Sequence, residues 1–232
     1  MADGSYKQFC PVAMATEILC SRWTLLLVRE LVCGSTRFND LRRGVPRMSP
    51  ALLSKRLKDL EAGGVVTRVQ SDENPDIFEY HLTASGRELR PIVEAIGNWG
   101  QRWIDSDLSL ENLDATLLMW DMRRWLDPNP MPRRKSTIQF VYPDVEPAQR
   151  KWWLVVDRDC EVDLCSVDPG FDVDLFVTAE LRAMAAVWMG LEPLDAMRDH
   201  GRIDLVGNRE LVEKMHQWLG LSPFANVERA VA

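Results

Sequence analysis

The clearest periodic stretch in the chain is residues 48–64, Met-Ser-Pro-Ala-Leu-Leu-Ser-Lys-Arg-Leu-Lys-Asp-Leu-Glu-Ala-Gly-Gly. At about 100° per residue, Leu52, Leu53, Leu57 and Leu60 fall on one arc and Ala51, Ser54, Lys55 and Lys58 on the opposite one. Ser49 stands where an N-cap belongs, Pro50 sits at the first helical position where its missing N–H costs nothing, and Gly63 and Gly64 supply the stop. The pattern predicts a helix with one packing face and one small, polar, basic face. Alone, that second face is the solvated side of an ordinary amphipathic helix.

Its neighbours give it a setting. Residues 11–20 read as a short helix with Val12, Ala15, Ile18 and Leu19 on one side, and residues 23–32 are apolar on nearly every face, as suits a central helix. Gly34 ends that helix, residues 38–43 form one or two turns, and a Gly/Pro break at 44–46 leads into residues 48–64: the elements of a helix-turn-helix. The period then changes to two over residues 65–69 and 77–82, a β-hairpin around the loop 71–76, which makes the unit a winged helix. From Thr83 a long helix is predicted in which Leu89, Ile92, Ile96, Trp99 and Trp103 form a narrow apolar seam suited to dimerisation, with a kink at Pro91.

Charge sharpens the picture. The net charge is −7, which discourages nucleic-acid binding until its distribution is examined. Residues 1–105 carry 14 basic and 13 acidic side chains, whereas residues 106–232 carry 14 and 22. Residues 37–68 hold eight bases (Arg37, Arg42, Arg43, Arg47, Lys55, Arg56, Lys58, Arg68) against three acids, so the basic helix face sits in a positive field of the kind phosphate attracts. On the helical wheel Arg56 lies between Leu52 and Leu60, and we expect it to pair inside the protein with Glu30 or Asp40. Five cysteines without CxxC spacing, and three histidines with no partner at ligand spacing, predict neither disulfide framework nor metal nor cofactor. No hydrolytic triad is visible, so the chain reads as no enzyme. No apolar run reaches bilayer length and the N-terminus is too polar for a signal peptide; a cytoplasmic protein is expected.

The blocks Cys10-Pro11-Val12, residues 22–31, residues 37–43 and Ser49-Pro50-Ala51-Leu52-Leu53-Ser54-Lys55-Arg56-Leu57 resemble the HxlR-type winged-helix regulators, a likeness that extends through Glu79-Tyr80 and Leu82-Thr83 over residues 10–105. The resemblance implies a homodimeric transcription regulator whose recognition helix, residues 49–63, lies in the major groove of double-stranded DNA. Arg37, Asn39, Arg42, Arg43, Arg47, Ser49, Pro50, Ala51, Ser54, Lys55 and Lys58 are the expected contacts, with Ala51 within reach of a thymine methyl. It also implies a candidate thiol sensor at Cys10, against which stands an ordinary structural thiol. The wing departs from the family: Ser71-Asp72-Glu73-Asn74-Pro75-Asp76 offers three acids and no base.

Beyond a hinge at 106–110, a helix over 111–126 and the stiff link 127–132 lead to strands at 137–142, 152–157, 160–165, 173–178 and 202–206. Helices are predicted at 180–188, 193–198 and 209–219. Strands before helices indicate an α+β fold with a mostly antiparallel sheet. Residues 153–156, 173–181 and 201–208 resemble a sterol-carrier-protein-like domain, so the expected division is 1–106 for DNA binding and dimerisation and 107–232 for an effector. The resemblance implies an apolar tunnel, and Phe176, Met184, Trp188 and Met189 are the candidates to line it around a small hydrophobic ligand. Three functions stay open: a dimeric regulator controlled by such a ligand, a regulator under thiol-redox control through Cys10, and a lipid carrier whose winged helix serves only to dimerise.

Overall fold

A computed structural model describes residues 5–72 and 74–231. The chain divides into two units, Met1–Gly97 and Asn98–Ala232, and the division falls inside a helix rather than at the expected hinge 106–110. The first unit runs α1 (Pro11–Leu19), α2 (Thr24–Val32), α3 (Phe38–Gly44), α4 (Pro50–Ala62), β1 (Val66–Gln70), β2 (Phe78–Leu82) and α5 (Ala84–Arg87), followed by α6 (Arg90–Trp103), which carries the chain into the second unit. Leu27, Val28 and Leu31 of α2 are buried against Leu41, Leu53, Leu57 and Leu60, so the central position read from its composition is the one it occupies. Strands β1 and β2 pair antiparallel from Val66↔Leu82 to Gln70↔Phe78, and a backbone bond from Tyr80 N to Thr36 O adds the 36–37 segment to their edge.

Helix α1 buries none of its residues, and Val12, Met14 and Ile18 are exposed. The seam expected from Thr83 onward is corrected twice. Pro91 does not kink one long helix but lies in the first turn of a new one: without an N–H, and with its ring opposed to the carbonyl four residues back, it can begin α6 but not continue α5. Leu89, in the break, packs with Val93 on the core of its own unit, while Ile92, Ile96, Trp99 and Trp103 are 45%, 49%, 61% and 52% exposed.

The turn between α3 and α4 depends on a fully buried carboxylate. Glu30, 0% exposed near the end of α2, accepts from Arg29 Nε and Nη2 (3.1 and 2.9 Å) and from Ser35 Oγ (3.4 Å), and Arg29 Nη2 also donates to Gly44 O (2.9 Å). A Cβ at Gly44 would overlap the Glu30 carboxylate. Only glycine lets the end of α3 lie directly on that group.

The second unit contains α7 (Ser106–Ser109), α8 (Ala115–Trp125), β3 (Ser136–Val141), β4 (Lys151–Val156), β5 (Val162–Cys165), β6 (Leu175–Ala179), α9 (Leu181–Trp188), α10 (Leu194–Asp199), β7 (Ile203–Gly207), α11 (Arg209–Glu213) and α12 (Met215–Trp218). Its sheet has the order β5-β4-β3-β6-β7, antiparallel except for β3 with β6. Ile138, Phe140, Leu154, Val156, Leu175 and Val177 point to one face and are covered by Met119 and Met122 of α8, Met184 of α9, and Leu211, Met215 and Trp218.

Three predicted elements shift for local reasons. The helix expected over 111–126 starts at Ala115 because the Asp114 side chain caps it, accepting from Thr116 N (2.9 Å) and Leu117 N (3.2 Å). The hinge 106–110 contains the helical turn α7. The closing helix is broken at Lys214, where the Trp218 indole donates to Leu211 O (2.8 Å), a carbonyl that an unbroken helix would offer to Met215 N–H.

Gly44→Ala is expected to lower stability by about 1–3 kcal/mol, the range for overfilling a packed site. Urea unfolding should show a lower midpoint at an unchanged slope.

Candidate nucleic-acid interface and ligand cavities

Ser49 caps α4, its Oγ accepting from Leu52 N (3.3 Å), and Pro50 opens the first turn. Leu53, Leu57 and Leu60 are buried, which turns Ala51, Lys55 and Lys58 outward and leaves Ser54 half-buried at the margin. Neither Lys55 nor Lys58 forms an ion pair among the described residues, and the same holds for the exposed Arg42 and Arg47; Asn39 is also exposed. Two other expected contacts are engaged within the protein: Arg43 Nη1 pairs with Asp40 (3.0 Å), and Arg37 Nε with Glu79 (3.3 Å).

Arg56 is half-buried, as the helical wheel indicates, but its partners differ from those expected. Nη1 pairs with Asp59 (2.8 Å), one turn along the same helix, and Nε donates to Arg22 O (3.2 Å), tying α4 to the turn before α2. Glu30 and Asp40 are already held by Arg29 and Arg43. In the wing, Asp72 and Asp76 are exposed, Glu73 lies outside the described residues, and Arg68 covers the Phe78 ring at 3.5 Å from its centroid. The hydrogen bond from Arg37 holds the Glu79 carboxyl below its ordinary range, against the opposing effect of desolvation.

Cys10 is the residue before α1. The backbone N–H groups of Ala13 and Val12 lie close to its sulfur and hold the thiol pKa below its ordinary value. No disulfide joins any of the five cysteines among the described residues.

In the second unit one of the four expected tunnel residues, Phe176, is separated from the other three. Strand alternation buries Leu175, Val177 and Ala179 and turns Phe176 (42% exposed) to the other face of the sheet, whereas Met184 is fully buried on the inner face. Trp188 and Met189 are half-buried at the margin of that core. Cavities occur elsewhere. One of about 410 Å³ lies among Ser106, Leu110, Ala183, Ala186, Met197 and three arginines, and another of about 360 Å³ lies beside Leu194, Leu219 and Leu221; Gly190, Leu191 and Glu192 form part of both walls. The arginines, Arg182, Arg202 and Arg229, come from a helix, the residue before a strand and the C-terminal tail. No local sequence pattern marks them as one site. Among the described residues no cluster of three or more His, Cys, Asp or Glu is arranged to hold a metal ion, and no single helix is long and apolar enough to cross a membrane.

Comparison with known proteins places the first unit. The model of the HxlR-like helix-turn-helix family matches residues 18–108. An uncharacterized HTH-type transcriptional regulator of Bacillus subtilis, YvaP, is 42% identical over 100 residues, which cover 43% of this chain and 93% of that protein. The chain belongs to the HxlR-like helix-turn-helix family of transcriptional regulators. Another HTH-type regulator similar to it, sll1512 of Synechocystis, is 35% identical over 98 residues, 42% of this chain and 73% of the relative. Among solved structures, the redox regulator HypR in its reduced form shares 35% identity, covering 40% of this chain and 91% of that one, with a TM-score of 0.37. The HxlR-like model ends at residue 108, so most of the second unit lies outside the family match.

Proposed function

We propose that this HxlR-family regulator works as a homodimer, presents α4 to the major groove of double-stranded DNA, and takes its signal from a small, largely apolar ligand bound in the second unit. One observation carries the DNA-contact assignment: on α4 the leucines are buried while Ala51, Lys55 and Lys58 stand exposed, with both ammonium groups free of protein partners among the described residues. A cation without an internal partner is available to phosphate, and a small residue beside it allows close approach to base edges. Arg42 and Arg47 extend the same basic field, while Ser49 and Pro50 set the start of the helix. Arg37 and Arg43 reach DNA in this reading only by sharing or leaving their carboxylates. The acidic wing contributes no base at its tip, which places more of the electrostatic affinity on α4 and on Arg42 and Arg47.

The dimer reading rests on Ile92, Ile96, Trp99 and Trp103, whose spacings of four, three and four set them on one exposed face of α6. The sterol-carrier-like reading of the second unit stands on the sequence blocks quoted above and on its α+β architecture. We place the protein in the cytoplasm on the same functional grounds. A second reading, control by thiol oxidation, is favoured by one observation, the lowered pKa of Cys10 beside the N–H groups of Ala13 and Val12.

Titrating a mixed-sequence duplex against salt should show Lys55→Ala and Lys58→Ala each reducing the slope of log K against log salt by about 1. Unchanged slopes in both variants remove α4 as the phosphate-contacting element. Ile96→Asp should sediment as a monomer at concentrations where the parent is a dimer; a parent that is already monomeric defeats the dimer reading. For the second reading, diamide should weaken DNA binding by the parent and leave Cys10→Ser unaffected, and equal responses of the two proteins exclude it.

A further inference from the structure

Residues 106–232 carry eight more acidic than basic side chains, yet the 410 Å³ cavity gathers three arginines, Arg182, Arg202 and Arg229, against two acids, Asp107 and Glu192. Their neutralisation within the protein is incomplete. Arg182 pairs with Asp107 (2.6 Å), a side chain 89% exposed to screening water, and Arg202 meets Glu180 only at 3.5 Å with both groups about half exposed. Arg229 has no carboxylate partner among the described residues: its Nη2 donates to Ile104 O (2.6 Å), and its Nη1 is buried without an acceptor. Arg229 is half-buried overall, but that one nitrogen lies out of water with no acceptor, and such a charged donor favours an added acceptor, best an anionic oxygen. Leu110, Ala183, Ala186 and Met197 supply the apolar part of its wall.

A cavity of this size with an apolar wall and convergent cations fits a ligand with an apolar body and one anionic end. We propose that it binds an amphipathic carboxylate, its head group neutralised by Arg229 and Arg202 and its apolar part lying along α9. The assignment deepens the ligand-controlled reading above and rests on it only for the step from ligand to DNA. It replaces a purely hydrophobic effector with an acid, and the expected tunnel with a cavity walled in part by Arg182, Ala183 and Ala186 of α9.

The same cavity is bonded to the end of α6. Ala230 N donates to Arg102 O (2.8 Å), Arg102 Nε donates to Glu228 O (3.4 Å), and Gln101 Nε2 donates to Met189 O (3.3 Å), next to the wall residues Gly190 and Leu191. Two walls of the site are thereby hydrogen-bonded to residues 101–102, one turn from Trp99 and adjacent to Trp103 on the exposed apolar face. A head group that draws Arg229 from Ile104 O acts on the last turn of that helix. Such a ligand alters the dimer face only through its different affinity for the two arrangements.

The test uses the full chain with decanoate, decanol and decylamine as probes, by calorimetric titration. Decanoate is expected to bind saturably and at least about tenfold more tightly than the other two, and Arg229→Gln and Arg202→Gln should each weaken it about tenfold or more. Arg202 is half exposed with a long ion pair, so its variant keeps the measurement interpretable if Arg229→Gln does not fold. No decanoate binding, equal binding of decanoate and decanol, or unchanged affinity in a folded Arg202→Gln each overturns the carboxylate site. Duplex-DNA affinity measured at saturating decanoate separates the two ideas: a bound ligand that leaves DNA affinity unchanged keeps the site and removes its role as the regulator's input.

Discussion

The first unit depends on one buried charge. Glu30 lies at the junction of α2 with the turn that launches α4, fully out of water, and survives there because Arg29 and Ser35 supply donors and Gly44 leaves room. A carboxylate in that position without partners would cost several kcal/mol, roughly the scale of a small domain's whole stability margin. The arrangement is consequently rigid in what it permits. Arg29 reaches both Glu30 and the Gly44 carbonyl, so the end of α2 and the end of α3 are held by one guanidinium, and the entry to α4 follows from where that guanidinium sits. The leucine face of α4 then fixes rotation about the helix axis, and the lysines point outward because the leucines cannot.

Much of this was legible in the residues. The cap at Ser49, the proline after it and the glycine pair at the end define α4 almost to the residue, because caps and stops are local chemistry. The wing hairpin was equally plain from its change of period. What escaped was decided by competition between groups distant in sequence. Arg56 was correctly turned from the basic face, but the carboxylates expected to receive it were already taken by Arg29 and Arg43, which spacing alone does not reveal. Leu89 matched the seam by period and left it because Pro91 broke the helix between them.

In the second unit the order of strands and helices followed from composition, whereas the site did not. Phe176 is instructive because the signal was present: between Leu175 and Val177 on a strand, it had to face away from both, and only one face packs against α9. The three arginines of the larger cavity had no such signal. They lie at positions 182, 202 and 229, and folding alone makes them neighbours. A charge balance taken along the sequence reports an acidic domain; the same balance taken around one cavity has the opposite sign.

The parallel pairing of β3 with β6 has a consequence for synthesis. Until residues 175–179 have left the ribosome, β3 has only β4 beside it, and its other edge presents unpaired backbone groups on a strand containing Ile138 and Phe140. The first unit has by then emerged complete, with its core closed by local contacts. A nascent chain that has emerged only as far as β5 therefore carries a finished helix-turn-helix module joined to a sheet with an open edge, which is an aggregation hazard until β6 pairs with it.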